Sequence, residues 1–136
     1  MEITEAIQRW TGMRREAAEN MSSITKIENV SKDCVLVQRG HICREVYIVD
    51  DGSVRAFHSV EGEEKNFWIG AEGSYVFSPC GTSFRQKSPD TIVTIEYSKL
   101  LHFGYDQLIE LCEHDNNIAN WWRRVVEIEL VKSVEE

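Results

Sequence analysis

The chain has 136 residues, 42% of them apolar and 28% charged, with a net charge of −8 and a pI near 5.0. That length suits one hydrophobic core, and that apolar content excludes an intrinsically disordered chain. The acidic balance argues against this domain gripping a nucleic-acid backbone, which takes many Lys and Arg contacts; it leaves open a small anion held by one or two local cations, or DNA binding by another domain.

The N-terminus, MEITEAIQRW, is acidic and polar and is not a secretory signal. No apolar run approaches the roughly 20 residues of a membrane helix, so a cytoplasmic protein is expected. Residues 2–20 read as an amphipathic helix. Ile3, Ile7, Trp10, Ala17 and Met21 fall near helical spacing, and Arg14, Arg15, Glu16 and Glu19 face away. Gly12 weakens its middle, so two short helices are an alternative, and Ser22 and Ser23 end it. From Ile24 the period changes. ITKIENV alternates, CVLVQ is β-branched, and EVYIVDDGSVRAFHSV is two strands around Asp-Asp-Gly, a hairpin signal. EGEE reads as the next turn and KNFWIG as a strand. TIVTIEYSKLLHFG is one long strand or two meeting near Ser98. Short strands at this spacing indicate an antiparallel barrel or sandwich.

After Gly104 the helical period returns. YDQLIELCEH is a short helix, and DNNIANWWRRVVEIELVKSVEE a longer one capped by Asp115 or Asn116. Ile118, Trp121, Trp122, Val125, Val126, Ile128, Leu130 and Val131 cover more than half its circumference. So apolar a helix has one side to lay on its own domain and another to give to a partner, most simply a second copy. The alternative is a helix sunk in its own core. The expected organisation is a single domain over 1–136: a helical segment at 1–23, a β jelly roll at 24–104 and C-terminal helices at 105–136.

The stretch GSYVFSPCGTSF, residues 73–84, has too few regular apolar positions for a strand and too much Gly and Pro for a helix. We read it as a loop between strands, a place that often holds a ligand. Cys34, Cys43, Cys80 and Cys112 form no CxxC pair, and the expectation is free thiols packed as small apolar groups.

The order of elements resembles the effector domain of the Crp/Fnr regulators, in the cyclic-nucleotide-binding-domain superfamily. SKDCVLVQRGHICREVYIVDDGSVRAF looks like that family's opening double hairpin, with Gly40 and Gly52 at its two turns. EEKNFWIGAEGSYVF matches the next hairpin and the approach to the ligand loop, with Gly73 and Phe77 in register. The likeness runs from about residue 24 to 131. It implies an antiparallel jelly roll (a double-stranded β-helix) with an N-terminal helix and a long C-terminal dimerisation helix. It also implies a pocket between the sheets, closed by residues 73–90.

In nucleotide-binding relatives this loop is a phosphate cassette. A short helix supplies backbone N–H groups, a Glu accepts from the ribose hydroxyl, and an Arg neutralises the cyclic phosphate. Here Phe77 is followed by Ser78 and Pro79, so the Glu is absent, and the Arg position falls near Ser88 or Pro89. Arg85 and Lys87 are the nearby cations. An unpaired phosphate in a low-dielectric pocket costs several kcal/mol, so ordinary binding of cAMP or cGMP is not expected. Trp68, Phe77, Phe84 and Trp121 or Trp122 form an aromatic pocket for another small molecule, or else fill the core. Ser78, Cys80, Ser83 and Arg85 are the polar candidates, or else solvated loop side chains.

The run His41, Cys43, Glu45 is faintly cupin-like, but cupins carry H-x-H and a Glu on a metal. Here Cys43 replaces the second His, and Tyr47 and Ile48 stand where the Glu belongs. His58, His102 and His114 lack ligand spacing. We expect no enzyme, no metal and no cofactor.

The leading reading is a sensor: the effector domain of a Crp/Fnr-like transcription regulator. It would form a homodimer through Ile118, Trp121, Trp122, Val125 and Ile128, and answer an unknown small-molecule effector. Contact with DNA would come only through a helix-turn-helix domain that is not within these residues. With Val131 and Val134 still in apolar phase at VKSVEE, either such a domain continues the chain in a longer protein or there is none. The alternative is a stand-alone degenerate module for protein–protein interaction, and the remote one a cupin-like metalloenzyme.

Overall fold

In the computed structural model, residues 2–135 are described. The chain divides into two compact units. One comprises the residues up to 24 together with those from 106 on, and the other spans Thr25–Tyr105.

The sheet unit holds eight strands: β1 (Lys26–Val30), β2 (Val35–Val37), β3 (Glu45–Asp51), β4 (Val54–Val60), β5 (Glu63–Gly70), β6 (Tyr75–Val76), β7 (Thr91–Thr94) and β8 (Ser98–Gly104). They form two antiparallel four-stranded sheets, in the orders β1-β8-β3-β6 and β2-β7-β4-β5. This is the mainly β jelly roll with flanking helices that the sequence predicts. TIVTIEYSKLLHFG is two strands, not one. The strand read as KNFWIG starts earlier, at Glu63, and takes in the second half of the predicted turn.

Alternation along the strands sets the core. Leu36, Val37, Val49, Val54, Ala56, Val76, Ile92 and Leu100 cluster, with Cys34, Cys43, Tyr47 and Trp68 packed against them. Each fully buried aliphatic side chain contributes about 1.5–3 kcal/mol, so this filling carries much of the unit's stability. Gly52 has φ +113° in the β3–β4 turn, and a Cβ there would lie 2.7 Å from Ser98 Cβ, which excludes larger residues on two counts. Buried hydroxyls serve the frame. Thr94 Oγ1 accepts from Cys34 N at 2.9 Å and donates to Ser31 O at 2.8 Å, pinning the β1–β2 turn.

The helical unit holds α1 (Ile3–Thr11), α2 (Arg15–Ser22), most of α4 (Tyr105–His114), whose first residue lies in the sheet unit, and α5 (Asn116–Glu135); the short α3 (Pro79–Phe84) belongs to the sheet unit. The predicted N-terminal helix is broken by Gly12, left-handed at φ +71°. Ala6, Ile7, Ala17, Ala18 and Met21 are buried while Arg14, Arg15, Glu16 and Glu19 are exposed. Asp115, not Asn116, caps α5: its Oδ1 accepts from the backbone N–H of Asn117 at 2.9 Å. Its other oxygen accepts from Asn20 Nδ2 at 3.0 Å, tying α2 to the start of α5.

Four of the five residues expected at a dimer contact are already inside one copy of the chain. Ile118, Trp121, Trp122 and Val125 are at most 8% exposed, and only Ile128 is open. The exposed apolar residues of α5 lie further along, at Val126, Ile128, Leu130, Val131 and Val134. No helix among the described residues is long and apolar enough to cross a membrane.

Candidate functional site

The stretch read as a loop contains a helix. After β6 the chain passes Phe77 and Ser78 and coils into α3. Pro79 stands at the start of the helix, where its missing N–H costs nothing. Ser78 O accepts from Gly81 N at 3.0 Å and Thr82 N at 2.9 Å, and Thr82 Oγ1 donates to the same carbonyl at 3.2 Å. Gly81 has a tertiary reason: a Cβ there would lie 2.8 Å from Cys43 N and 3.0 Å from Cys43 C. So α3 lies directly on the backbone of the segment that leads into β3. Gly and Pro lower helix propensity, but here both occupy positions that want them.

The far end of α3 closes on Arg85, which is left-handed at φ +53°. Arg85 N donates to Gly81 O at 3.1 Å, the bond of a left-handed helix cap, and Gln86 N donates to Cys80 O at 2.8 Å. Arg44, which sequence reasoning missed, completes it. Its Nη1 donates to Gly81 O at 3.0 Å and Thr82 O at 2.6 Å. The guanidinium lies over the Tyr105 ring, 5.1 Å from the centroid. A cation on the last carbonyls of a helix is favourably placed.

Beyond α3 the chain returns to β7 through a pinned turn. Ser88 N donates to His41 O and Gly40 N to Ser88 O, both at 2.8 Å. The Ser88 hydroxyl donates to Asp90 O at 2.8 Å and accepts from Asp90 N at 3.2 Å. Of the two positions near which the resemblance puts a cation, Ser88 is buried with its hydroxyl engaged by its own turn, and Pro89 is exposed. Nearby in sequence, Asp90 Oδ1 lies 3.5 Å from His58 Nδ1, and the His58 ring lies 5.3 Å from Phe67.

The predicted site residues separate. Ser78 is buried, with Phe77 and Cys80 half-buried beside it, while Ser83 and Arg85 are exposed on α3 and its cap. Phe84, offered as a pocket or core aromatic, is 71% exposed and does neither. Trp68 packs on the aliphatic core. Trp121 and Trp122 belong to the helical unit, buried, their ring centroids 5.8 Å apart.

A second polar cluster also escaped sequence reasoning. His102 on β8 has Nε2 2.8 Å from Glu28 Oε2 on β1 and Nδ1 2.9 Å from Glu45 Oε1 on β3. With a carboxylate within hydrogen-bond distance of each ring nitrogen, the imidazole bridges three strands. Tyr47, its neighbour on β3, has its phenol pushed up by burial and then by Cys43, Glu45 and Glu28. Burial likewise raises the Cys43 thiol. His41 is exposed, and no group of three His, Cys, Asp or Glu among the described residues is placed to hold a metal.

A profile of the family described as Cyclic nucleotide-binding domain matches residues 27–115. The chain belongs to the cyclic nucleotide-binding domain family. No curated protein sequence matches it. Among solved structures, this member of the family is similar to a cyclic nucleotide-binding domain from Methylobacillus flagellatus kt, with 13% identity, TM-score 0.83, and 97% of this chain and 79% of that one covered. It is similar to the sensor domain of the transcriptional regulator DNR from Pseudomonas aeruginosa, with 14% identity, TM-score 0.76, and 100% and 96% covered. It is also similar to the Catabolite Activator Protein of Thermus thermophilus, with 17% identity, TM-score 0.76, and 91% of this chain but 58% of that one covered. At these identities the likeness is one of fold.

Proposed function

We propose that the chain is the effector domain of a Crp/Fnr-like transcription regulator, answering a small molecule other than cAMP or cGMP. The family assignment and the similarity to the DNR sensor domain and the Catabolite Activator Protein support a regulatory role. The observation that carries the departure from cyclic nucleotides is the Ser88 turn. A cyclic phosphate held at the Ser88 turn would meet a buried hydroxyl committed to Asp90, and the guanidinium that does reach α3, that of Arg44, is committed to the Gly81 and Thr82 carbonyls. Arg85 and Lys87 stand exposed and would have to leave solvent to compensate. In this reading Phe77, Ser78 and Cys80 face the effector, with Trp68, Ser83 and Arg85 as further candidates. Self-association uses the exposed apolar stripe of α5, and the domain acts as a regulator, not as a catalyst.

Thermal melting with millimolar cAMP and, separately, cGMP tests this. A ligand at 100 times its dissociation constant adds roughly 2.7 kcal/mol, worth several degrees in a domain of this size. The expected result is an unchanged melting temperature with both nucleotides. A clear upward shift would overturn the reading and hand the phosphate to Arg85 or Lys87.

A further inference from the structure

We infer that Arg44 is a mechanical coupler that ties α3 to the first residue of α4. Residues 43 and 44 touch both ends of this link. The guanidinium holds two carbonyls of α3, Gly81 O at 3.0 Å and Thr82 O at 2.6 Å. The carbonyl of the same residue accepts from Tyr105 N at 2.8 Å, and its guanidinium covers the Tyr105 ring. One residue before it, the Cys43 backbone is the surface on which Gly81 rests. A helix of six residues does not hold its own position; its contacts hold it. Moving α3 therefore means breaking charge-assisted bonds or carrying the Arg44 side chain along, and both the backbone and the side chain of Arg44 touch Tyr105. Tyr105 begins α4, the helix by which the chain leaves the sheet unit. The coupling is a property of the unliganded chain and stands whatever the effector is.

Hydrogen exchange on four ligand-free proteins tests it: the wild type, Thr82→Gly to loosen α3, Arg44→Met, and the double variant. With Arg44 present, Thr82→Gly raises exchange at residues 105–109 about threefold or more, while β8 stays protected. With Met at 44, adding Thr82→Gly changes 105–109 little. Equal increases in both backgrounds would overturn the inference, as would loosening of α3 with no response at 105–109. Uniform loss of protection across both sheets would also overturn it, making Arg44 a merely structural residue. If a variant fails to fold, a cycle with Arg44→Lys and Tyr105→Leu replaces it. The loss of melting temperature in that double variant should fall short of the sum of the singles, and strict additivity would sink the inference.

Discussion

At the residue scale, Asp115 shows how one carboxylate organises a junction. It caps α5 and accepts from Asn20, and the Asn20 hydrogen bond is the main reason its acidity is raised, with the Asn117 and Ile118 amides adding to it. Because its folded pKa lies below the unfolded value, the stabilisation is present above about pH 4 and is lost as pH falls through the folded value. Asp115→Ala should cost about 1 kcal/mol near neutral pH, the usual worth of an N-cap. Its melting deficit against the wild type should shrink in acid below pH 4 or so; a deficit independent of pH would mean the charge contributes nothing. This cap was readable beforehand because its partners are the next residues in the chain. Arg44 and His102 were not. Their partners lie dozens of positions away, and only the pairing of β1, β3 and β8 brings Glu28, Glu45 and His102 together.

At the scale of elements, periodicity carried the strands and the long helices, because both express burial on one face. It failed at α3, where six residues show no period and the helix exists through tertiary contact. Gly81→Ala tests that directly. The added methyl group meets Cys43 backbone, not a side chain that can swing away, so the overpacking should cost about 1–3 kcal/mol despite alanine's better helix propensity. Chemical denaturation gives the measurement, and a neutral or stabilising Gly81→Ala would show that α3 moves freely from that surface. On α5 the failure was of a different kind. Apolar residues around most of a helix mark it as doubly covered, yet do not say which side is used within the chain. The structure places Ile118, Trp121, Trp122 and Val125 inside and leaves the later stripe open.

At the scale of the whole molecule, that stripe is the basis of the proposed self-association. Val126, Leu130 and Val134 fall at successive turns and are 44%, 63% and 76% exposed. The ion pairs beside them, Arg123 with Glu127 and Lys132 with Glu129, are solvent-facing and contribute little by themselves. Sedimentation velocity should find a dimer for the wild type and a monomer for Leu130→Asp, with the monomer's sheet unit intact by circular dichroism. A monomeric wild type, or a dimer indifferent to aspartate at 130, would move the contact elsewhere. The pairing of β1 with β8 has a further consequence. Lys26 stands opposite His102, so the chain enters and leaves the jelly roll on adjacent strands. The roll is therefore a self-contained insert: the segments on either side of it can be lengthened, shortened or exchanged without rethreading either sheet.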